Sequence, residues 1–344
     1  MSVNFAMWKT AVWQLVKLDE QDEWDKLDVI SKWFIATRSA VTTVTIYACV
    51  AAGLLAWRDH IFSFVPWLIV TLGLFIAHGT NNLLNDYTDY SRGIDKDNYF
   101  RTQYGVHPLV QEMWTKRQQL RWFVVSGVLA TLSGIYAVFY TNFSPIVIGL
   151  FAFGALALVF YTYPLKYLAL GELLIFLVWG PIMVAGTYIV LAKGWTPDVW
   201  MIALAGVPYG LSVASINVGK HIDKRKEDKK KGVHTLPVVI GEKAARYLNL
   251  VMILLVYAVL LYLVFGAKFF TPVMLVVFLA GKRALLASAV LAKPRPEEPP
   301  QGYPGWPTWF SAFSFYHNRL FGNLFVLGIF ADVILRMLIP TFWH

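Results

Sequence analysis

The sequence predicts an all-α, polytopic membrane protein: nine transmembrane helices in one bundle, with a cytoplasmic cap made by the loops between spans two and three and between spans six and seven. Three observations predict it. Apolar residues fall in blocks of about the 20 residues that cross a bilayer core. Charge is scarce, with 15% of the 344 residues charged and 57% hydrophobic, whereas soluble domains carry about 25% charged residues. Lys and Arg concentrate in alternate loops, which marks a cytoplasmic face. The same composition excludes a disordered chain, a coiled coil and a disulfide scaffold. The single cysteine, Cys49, lies inside an apolar block and reads as packing.

Residues 1–36 are polar, with Glu20, Asp22, Glu23, Asp25 and Asp28, and lack the pattern of a cleaved signal. They are expected to form a cytoplasmic segment ahead of a transmembrane domain, 37–344. Within them Phe5 to Leu18 is amphipathic and suits either the membrane surface or an aqueous-facing helix. Spans are expected at 38–57, 61–84, 119–141, 144–162, 168–192, 198–219, 246–265, 271–292 and 319–341. Lys282 and Arg283 fall near the middle of the eighth. Either they face a polar interior or the membrane ends near them, and the second is cheaper. The loops alternate between short and long. Loops 85–118 and 220–245 are long and charged, and 293–318 is a Pro-rich connector. The N-terminal segment and the alternate loops on its side, the short one with Lys166 included, hold 20 Lys and Arg, against 3 (Arg58, Lys193 and Lys268) on the opposite side. The chain is therefore expected to be multi-pass in the cell membrane, with its N-terminus cytoplasmic and its C-terminus outside. The net charge of +9 is this asymmetry together with attraction to anionic lipid. It requires no nucleic-acid partner, and nothing in the sequence fixes an oligomeric state.

Two motifs carry chemistry. The first is NDYTDYSRGID, 85–95, at the end of span two. On a continuing helix Asn85 and Asp89 share a face, Asp86 lies about 100° round, and Gly93 lets Asp95 swing back. Two or three oxygen ligands at the membrane edge suit a hard cation such as Mg²⁺, which completes its shell with phosphate oxygens. The alternative is a solvated acidic loop, but acids within a turn of an apolar span are functional by default. The second motif is NVGKHIDKRKEDKKKG, 217–232. On a continuing helix Asn217, His221, Lys224 and Asp228 line one face, and Asp223 and Glu227 another. Most of its lysines read as a positive-inside loop. Pairing to those lysines is the alternative role for Asp223 and Asp228, and exposed pairs contribute little. The two motifs echo one another four helices apart, as in a duplicated bundle half. Facing carboxylate clusters repel unless divalent metal bridges them, and a diphosphate is held only through such metal or by Lys and Arg.

With these motifs the sequence resembles the UbiA superfamily of intramembrane prenyltransferases over about residues 30–341, and within it the 1,4-dihydroxy-2-naphthoate polyprenyltransferases of menaquinone synthesis. The branch pattern NDYxDYxxGxD is matched by Asn85, Asp86, Asp89, Gly93 and Asp95. Its YT…LGEL stretch is matched by Tyr161, Thr162 and Leu170 to Leu173, and its GPxMVxGTYxV stretch by Gly180, Pro181, Met183, Val184, Gly186, Thr187 and Tyr188. The DxxxG…TL ending is matched by Asp228, Gly232, Thr235 and Leu236, and Arg101-Thr102 resembles the RT pair after the first motif. There are two departures. His221 stands where the branch carries an aspartate, and the spacing to Asp228 is about three residues longer, so Asp223 is expected to take the missing role.

The resemblance implies Mg²⁺-dependent transfer of a polyprenyl group from polyprenyl diphosphate to an aromatic acceptor, such as 1,4-dihydroxy-2-naphthoate, within the membrane lipid. Metal would be held by Asn85, Asp86, Asp89 and Asp95 on one side and by Asn217, Asp223 and Asp228 on the other. Asp89, Asp223, Asp228 and His221 are the candidate catalytic residues. Arg101, Lys166, Lys220 and Tyr161 are the candidate diphosphate contacts. Tyr161 and Tyr163 have the depth to stabilise an allylic cation, and His78, His107 and His221 are candidates for a general base. Homogentisate, hydroxybenzoate, glycerol phosphate and porphyrin-type acceptors are alternatives, because fold does not choose a substrate. A cation-coupled transporter would place its acids at mid-membrane rather than at one face. A non-catalytic scaffold that has kept the fold is the remaining alternative.

Overall fold

The computed structural model describes residues 3–18, 20–95, 100–103 and 105–343, without the side chains of Arg101 and Thr102. Three short helices come first: α1 (Phe5–Trp13), α2 (Gln21–Asp25) and α3 (Val29–Ala36). Asp28 caps α3, accepting from Ile30 N at 2.9 Å and Ser31 N at 3.0 Å, and Trp8 Nε1 donates to the same carboxylate at 3.0 Å. One carboxylate thus fixes α1 against α3. Then follow α4 (Ser39–Arg58), α5 (Phe64–Ser91), α6 (Lys116–Tyr140) and α7 (Pro145–Phe160). The next span is broken into α8 (Gly171–Leu177), a π-helical turn Val178–Ile182 and α9 (Met183–Leu191). α10 (Val199–Asp223) leads into the short α11 (Arg225–Lys230) and α12 (Leu236–Ile240). The chain closes with α13 (Glu242–Leu261), which runs through a π-helical turn to Gly266, with α14 (Gly281–Leu291), which follows a 3₁₀ stretch Pro272–Ala280, and with α15 (Phe310–Leu338).

Eight helices of the described residues are long and apolar enough to cross a membrane, rather than the nine expected. The remaining candidate, α7, has 16 residues. At 1.5 Å per residue it is about 24 Å long, against roughly 30 Å for a bilayer core. The chain is a multi-pass membrane protein. Burial divides the helices: 67% of the apolar window of α4 and of α10 is buried, against 17% for α6. α4 and α10 form the centre, and α6 lies at the rim.

Glycines set the closest helix crossing. Pro181 lacks an N–H, and the helix responds with a π turn in which Gly180 takes φ −102°, ψ −108°. A Cβ on Gly210 would stand 2.6 Å from Gly180 Cα, and one on Gly206 would stand 2.7 Å from the Gly180 carbonyl oxygen. Backbone cannot yield at such distances, so this seam holds the broken span against α10, as small residues do in membranes. The GPxMVxGTYxV stretch is the sequence form of that seam.

A second apolar cluster lies on the side of the two motifs. Trp24, Leu27 and Ala11 pack with Val106, Leu109 and Trp114, and Val106 N donates to the Val16 carbonyl at 3.2 Å. The amphipathic N-terminal stretch is therefore docked on the loop that follows the first motif. Arg283 is held by α15: its Nη1 donates to the Tyr316 carbonyl at 2.9 Å and its guanidinium lies 3.9 Å over that ring.

α15 begins at Phe310, earlier than the expected 319, and Asp223 is the reason. The N–H groups of Trp309, Phe310 and Ser311 donate to its carboxylate at 2.9, 2.9 and 3.0 Å, and Ser311 Oγ donates at 2.7 Å. Gly219, one turn earlier, makes room, since a Cβ there would stand 2.8 Å from Ser311 N. Arg295 of the Pro-rich connector approaches Asp223 at 3.7 Å and donates to the Pro307 carbonyl at 2.6 Å. Asp223 therefore satisfies the exposed end of a 29-residue helix, and both of its carboxylate oxygens accept hydrogen bonds there. An anion at a helix N-terminus is at its most favourable there. Asp223→Ala should lower stability by about 2 kcal/mol, read from thermal unfolding in detergent, and leave the Mg²⁺ requirement unchanged. A raised Mg²⁺ requirement at unchanged stability would return Asp223 to the metal set.

Candidate active site

α5 runs on past its apolar stretch to Ser91, so Asn81, Asn85 and Asp89 share one face. Gly93, at φ +74°, then turns the chain back, and Ile94 N donates to the Asp89 carbonyl at 2.8 Å. The Asp89 carboxylate receives Lys166 Nζ on both oxygens, at 2.8 and 2.7 Å. Asn85 Nδ2 donates to Asp89 at 3.1 Å and to Thr162 Oγ1 at 3.2 Å. The other two acids of the motif point elsewhere. Asp86 is ion-paired with Arg38, at the start of α4, at 3.2 Å. Asp95 is bonded to His107 Nε2 at 2.9 Å. Geometry therefore separates the four expected ligands of the first motif into Asn85 and Asp89, which meet Thr162 and Lys166 in the turn after α7, and Asp86 and Asp95, which pair with Arg38 and His107. That leaves His107 the fixed partner of Asp95. The Arg101 side chain, an expected diphosphate contact, lies outside the described residues.

The second motif does not run as one helix. α10 stops at Asp223, Lys224 takes φ −99°, ψ 9°, and α11 restarts beyond it. Asn217 Nδ2 donates to the Tyr161 hydroxyl at 3.4 Å, while its Oδ1 is buried without a hydrogen-bond partner. His221 Nδ1 lies 2.5 Å from Glu172 Oε1, which also accepts from Leu236 N at 3.1 Å. Asp228 is fully buried. It accepts from Lys224 Nζ at 2.9 Å and from Thr235 Oγ1 at 3.5 Å. Lys220 is half-buried on α10.

The two motifs meet directly. Lys231 Nζ donates to the Ile94 carbonyl at 2.7 Å, and Phe100 N donates to Glu227 at 3.2 Å. Ile94 and Val233 pack together against Tyr167. The Tyr167 hydroxyl is pushed up to about 12, by burial and then by the Asp89 charge, against the lowering effect of Arg92 and Lys224. That ring therefore sits in the electrostatic field of both motifs. Arg92 lies 4.2 Å over the Tyr163 ring, so Tyr163 serves this outer stack, whereas Tyr161 faces inward.

Behind Tyr161 a cavity of about 450 Å³ runs through the bundle between α5, α6, α7 and the broken span. Its wall is mostly apolar, including Val70, Leu150, Ile175, Trp179 and Val190, and the cavity reaches Asn81 and Tyr161. His78, in that wall, is tied to Thr45 Oγ1 at 2.9 Å.

Among the described residues no three His, Cys, Asp or Glu converge on a common metal position. The oxygen donors nevertheless fit a hard cation that shares its shell with phosphate. Asn85, Asp89, Asn217 and Asp228 are all oxygen ligands, and the buried Asn217 Oδ1 is an orphan acceptor. Glu172 and Lys224 are the functional candidates that the sequence reading leaves without a role. The signal for Glu172 is an acid at the second residue of an apolar span. The signal for Lys224 is its place on the face of Asn217, His221 and Asp228.

A model of the UbiA prenyltransferase family matches residues 46–317. The chain is 31% identical over 216 residues to human UbiA prenyltransferase domain-containing protein 1, covering 60% of each chain. It is 28% identical over 219 residues to the 1,4-dihydroxy-2-naphthoate octaprenyltransferase of Haemophilus influenzae, covering 60% of this chain and 66% of that one. Several relatives are matched over little more than half their length, 54% for the Xenopus tropicalis protein. Of solved structures, a UbiA homologue from Aeropyrum pernix K1 superposes with TM-score 0.62 at 16% identity, covering 87% of this chain and 98% of that one. One from Archaeoglobus fulgidus bound to GPP and Mg²⁺ gives 0.52 at 13%, covering 86% and 98%. These likenesses speak for a shared fold. The family match spans both motifs and the helices that carry them, and the chain belongs to the UbiA prenyltransferase family.

Proposed function

We propose that this protein transfers a polyprenyl group from polyprenyl diphosphate to an aromatic acceptor within the membrane, with 1,4-dihydroxy-2-naphthoate as the acceptor class. The observation that carries the reading is one juxtaposition. An apolar cavity suited to an isoprenoid tail reaches Tyr161, and Tyr161 is bonded to Asn217 beside the Asn85–Asp89–Lys166 cluster. The Haemophilus influenzae relative supports the acceptor, and the Archaeoglobus fulgidus structure with GPP and Mg²⁺ supports the donor.

On this reading Asn85 and Asp89 from the first motif, and Asn217 and Asp228 from the second, hold Mg²⁺. The metal supplies charge neutralisation for the departing diphosphate. Lys166 and Lys224 contact phosphate oxygens, and Lys220 lies in the last turn of α10, just before the break at Lys224. Tyr161 and Trp179 present ring faces to the allylic carbon as its bond to oxygen breaks, where an aromatic face stabilises a dry cation by about 2 kcal/mol. The apolar wall keeps water from capturing that cation. Attack by the electron-rich acceptor forms the new carbon–carbon bond, and a naphthoate then loses its carboxylate as carbon dioxide. Glu172 fixes the His221 ring at the rim of this site. Asp89→Ala and Asp228→Ala should each lower kcat/KM by at least about 100-fold, assayed with labelled geranylgeranyl diphosphate, Mg²⁺ and a panel of aromatic acceptors; each variant leaves a buried lysine unpaired, so activity is compared below its lowered unfolding temperature. Prenylation of a different acceptor at a higher rate would replace the naphthoate assignment. Undiminished activity in either variant would remove that residue from the site.

The Lys and Arg asymmetry supports an orientation in the cell membrane with both motifs and the N-terminus cytoplasmic. α7 then crosses as the ninth span and the C-terminus lies outside. α7 is short, and local thinning of the bilayer accommodates such a helix at modest cost. Cys49 is buried and leaves the background clean for labelling. Lys230→Cys should react with an impermeant maleimide only in inverted vesicles, and Lys268→Cys only in right-side-out ones. Reversal at these two positions while Glu112→Cys, in the first long loop, is still labelled only in inverted vesicles would mean that α7 does not cross, and reversal at all three positions would invert the orientation.

A further inference from the structure

Each carboxylate assigned to metal in the proposed site already holds a lysine. Lys166 Nζ bridges both oxygens of Asp89 at 2.8 and 2.7 Å, and Lys224 Nζ sits 2.9 Å from Asp228. All four side chains are buried: relative exposure is 3% for Lys166, 7% for Asp89, 5% for Lys224 and 0% for Asp228. These are not the surface pairs that loops collect. Lys166 lies in the turn after α7, and Lys224 is the residue at which the α10 helix breaks. The two lysines thus come from different elements and converge on opposite sides of the gap between the motifs.

Buried ion pairs of this kind are costly to break by removing one member, because a bare charge is left in a low dielectric. A divalent cation arriving alone would have to displace an ammonium and then share a buried pocket with it. The repulsion is several kcal/mol at contact distances. A diphosphate reverses the balance. It carries more negative charge than one divalent ion neutralises, so the displaced ammonium has an anion to move to. Lysine suits that exchange, being a compact point charge on a flexible stem, whereas the planar fork of Arg38 on Asp86 suits a fixed joint.

We infer that Lys166 and Lys224 are exchangeable counter-ions. Each neutralises its aspartate in the substrate-free protein and transfers to the diphosphate when prenyl diphosphate binds, so that divalent metal loads together with the diphosphate and not before it. The inference rests on the prenyl diphosphate reading above. It adds an order of binding, and it gives Lys224 a role in it. No covalent bond changes in the exchange.

Mn²⁺, which prefers the same oxygen ligands, reports the loading directly by electron paramagnetic resonance of the full-length protein in nanodiscs. The second probe is geranylgeranyl thiolodiphosphate, whose carbon–sulfur bond resists ionisation. Wild-type protein should take up Mn²⁺ in the presence of the thiolodiphosphate and at least about tenfold more weakly without it. Lys166→Met and Lys224→Met should each bind Mn²⁺ alone about tenfold more tightly than wild type, and each should bind the thiolodiphosphate more weakly. Equal Mn²⁺ affinity of the wild type with and without the thiolodiphosphate would overturn the exchange. So would variants whose Mn²⁺ affinity in the absence of thiolodiphosphate is no tighter than wild type. Should a methionine variant unfold, the wild-type comparison still decides, and Lys166→Gln provides a milder change. Failure of the thiolodiphosphate to bind in any form of the protein is a different result: it would remove the donor reading itself, and the exchange with it.

Discussion

A carboxylate at the end of an apolar helix must be met by hydrogen-bond donors or opposite charge, and the half of this protein that carries the two motifs depends on that constraint. Asp86 meets Arg38, Asp89 meets Lys166, Asp95 meets His107 and Asp228 meets Lys224. Asp223 is met by the N-terminus of α15. The partners of the first three, and of Asp223, come from other elements: the start of α4, the turn after α7, the loop beyond residue 104 and the last helix. The pairings that make the acids tolerable are therefore also the joints that assemble this face. Removing one partner would expose a buried charge and loosen a tertiary contact at once.

Within the membrane a different economy applies, since lipid gives apolar helices little reason to associate. The glycine seam of Gly180, Gly206 and Gly210 supplies close van der Waals contact on one side of α10. Small polar groups supply the other: Asn249 Nδ2 donates to the Ser215 carbonyl at 3.0 Å, Ser215 Oγ to Ser314 Oγ at 3.1 Å, and Asn318 Nδ2 to Ser212 Oγ at 3.0 Å. With α10 held on both flanks, the apolar cavity is left to α5, α6, α7 and the broken span. The second motif thus hangs from the tightly held α10, and the cavity lies beside it.

Much of this was legible in the sequence because it is local. Span positions follow from runs of apolar residues. The shared face of Asn85 and Asp89 follows from helical periodicity, and the return of Ile94 and Asp95 from Gly93. What periodicity does not report is the long-range partner. Asp223 reads as a metal ligand because it sits in an acidic motif, yet its oxygens are claimed by backbone 86 to 88 positions away. Asp86 and Asp95 share the first motif with Asp89 and are drawn off by Arg38 and His107 for the same reason. His221 stands where an aspartate is expected, and its role depends on Glu172, 49 positions earlier. The break at Lys224 was not visible either. No proline or glycine marks it, and it follows from α10 ending where Asp223 is tied to α15. α7 fell short of the expected span because Tyr161 to Ala169 leave the helix to carry Lys166 to Asp89.

The docking of the N-terminal segment has a consequence for how the protein is made. Trp24 stacks edge-on against Trp114, and Gln21 Nε2 donates to the Met113 carbonyl across 92 positions. Residues 5–36 are synthesised before the surface they cover, which does not exist until α4 and α5 have been inserted and the following loop synthesised. Such non-local pairing is slow to form because the intervening chain must first be ordered. This segment thus settles after the spans that follow it, and until then Trp24 and Leu27 lack the apolar surface that covers them. Closure of this face over the N-terminal segment therefore requires α4 and α5 to have taken their places first.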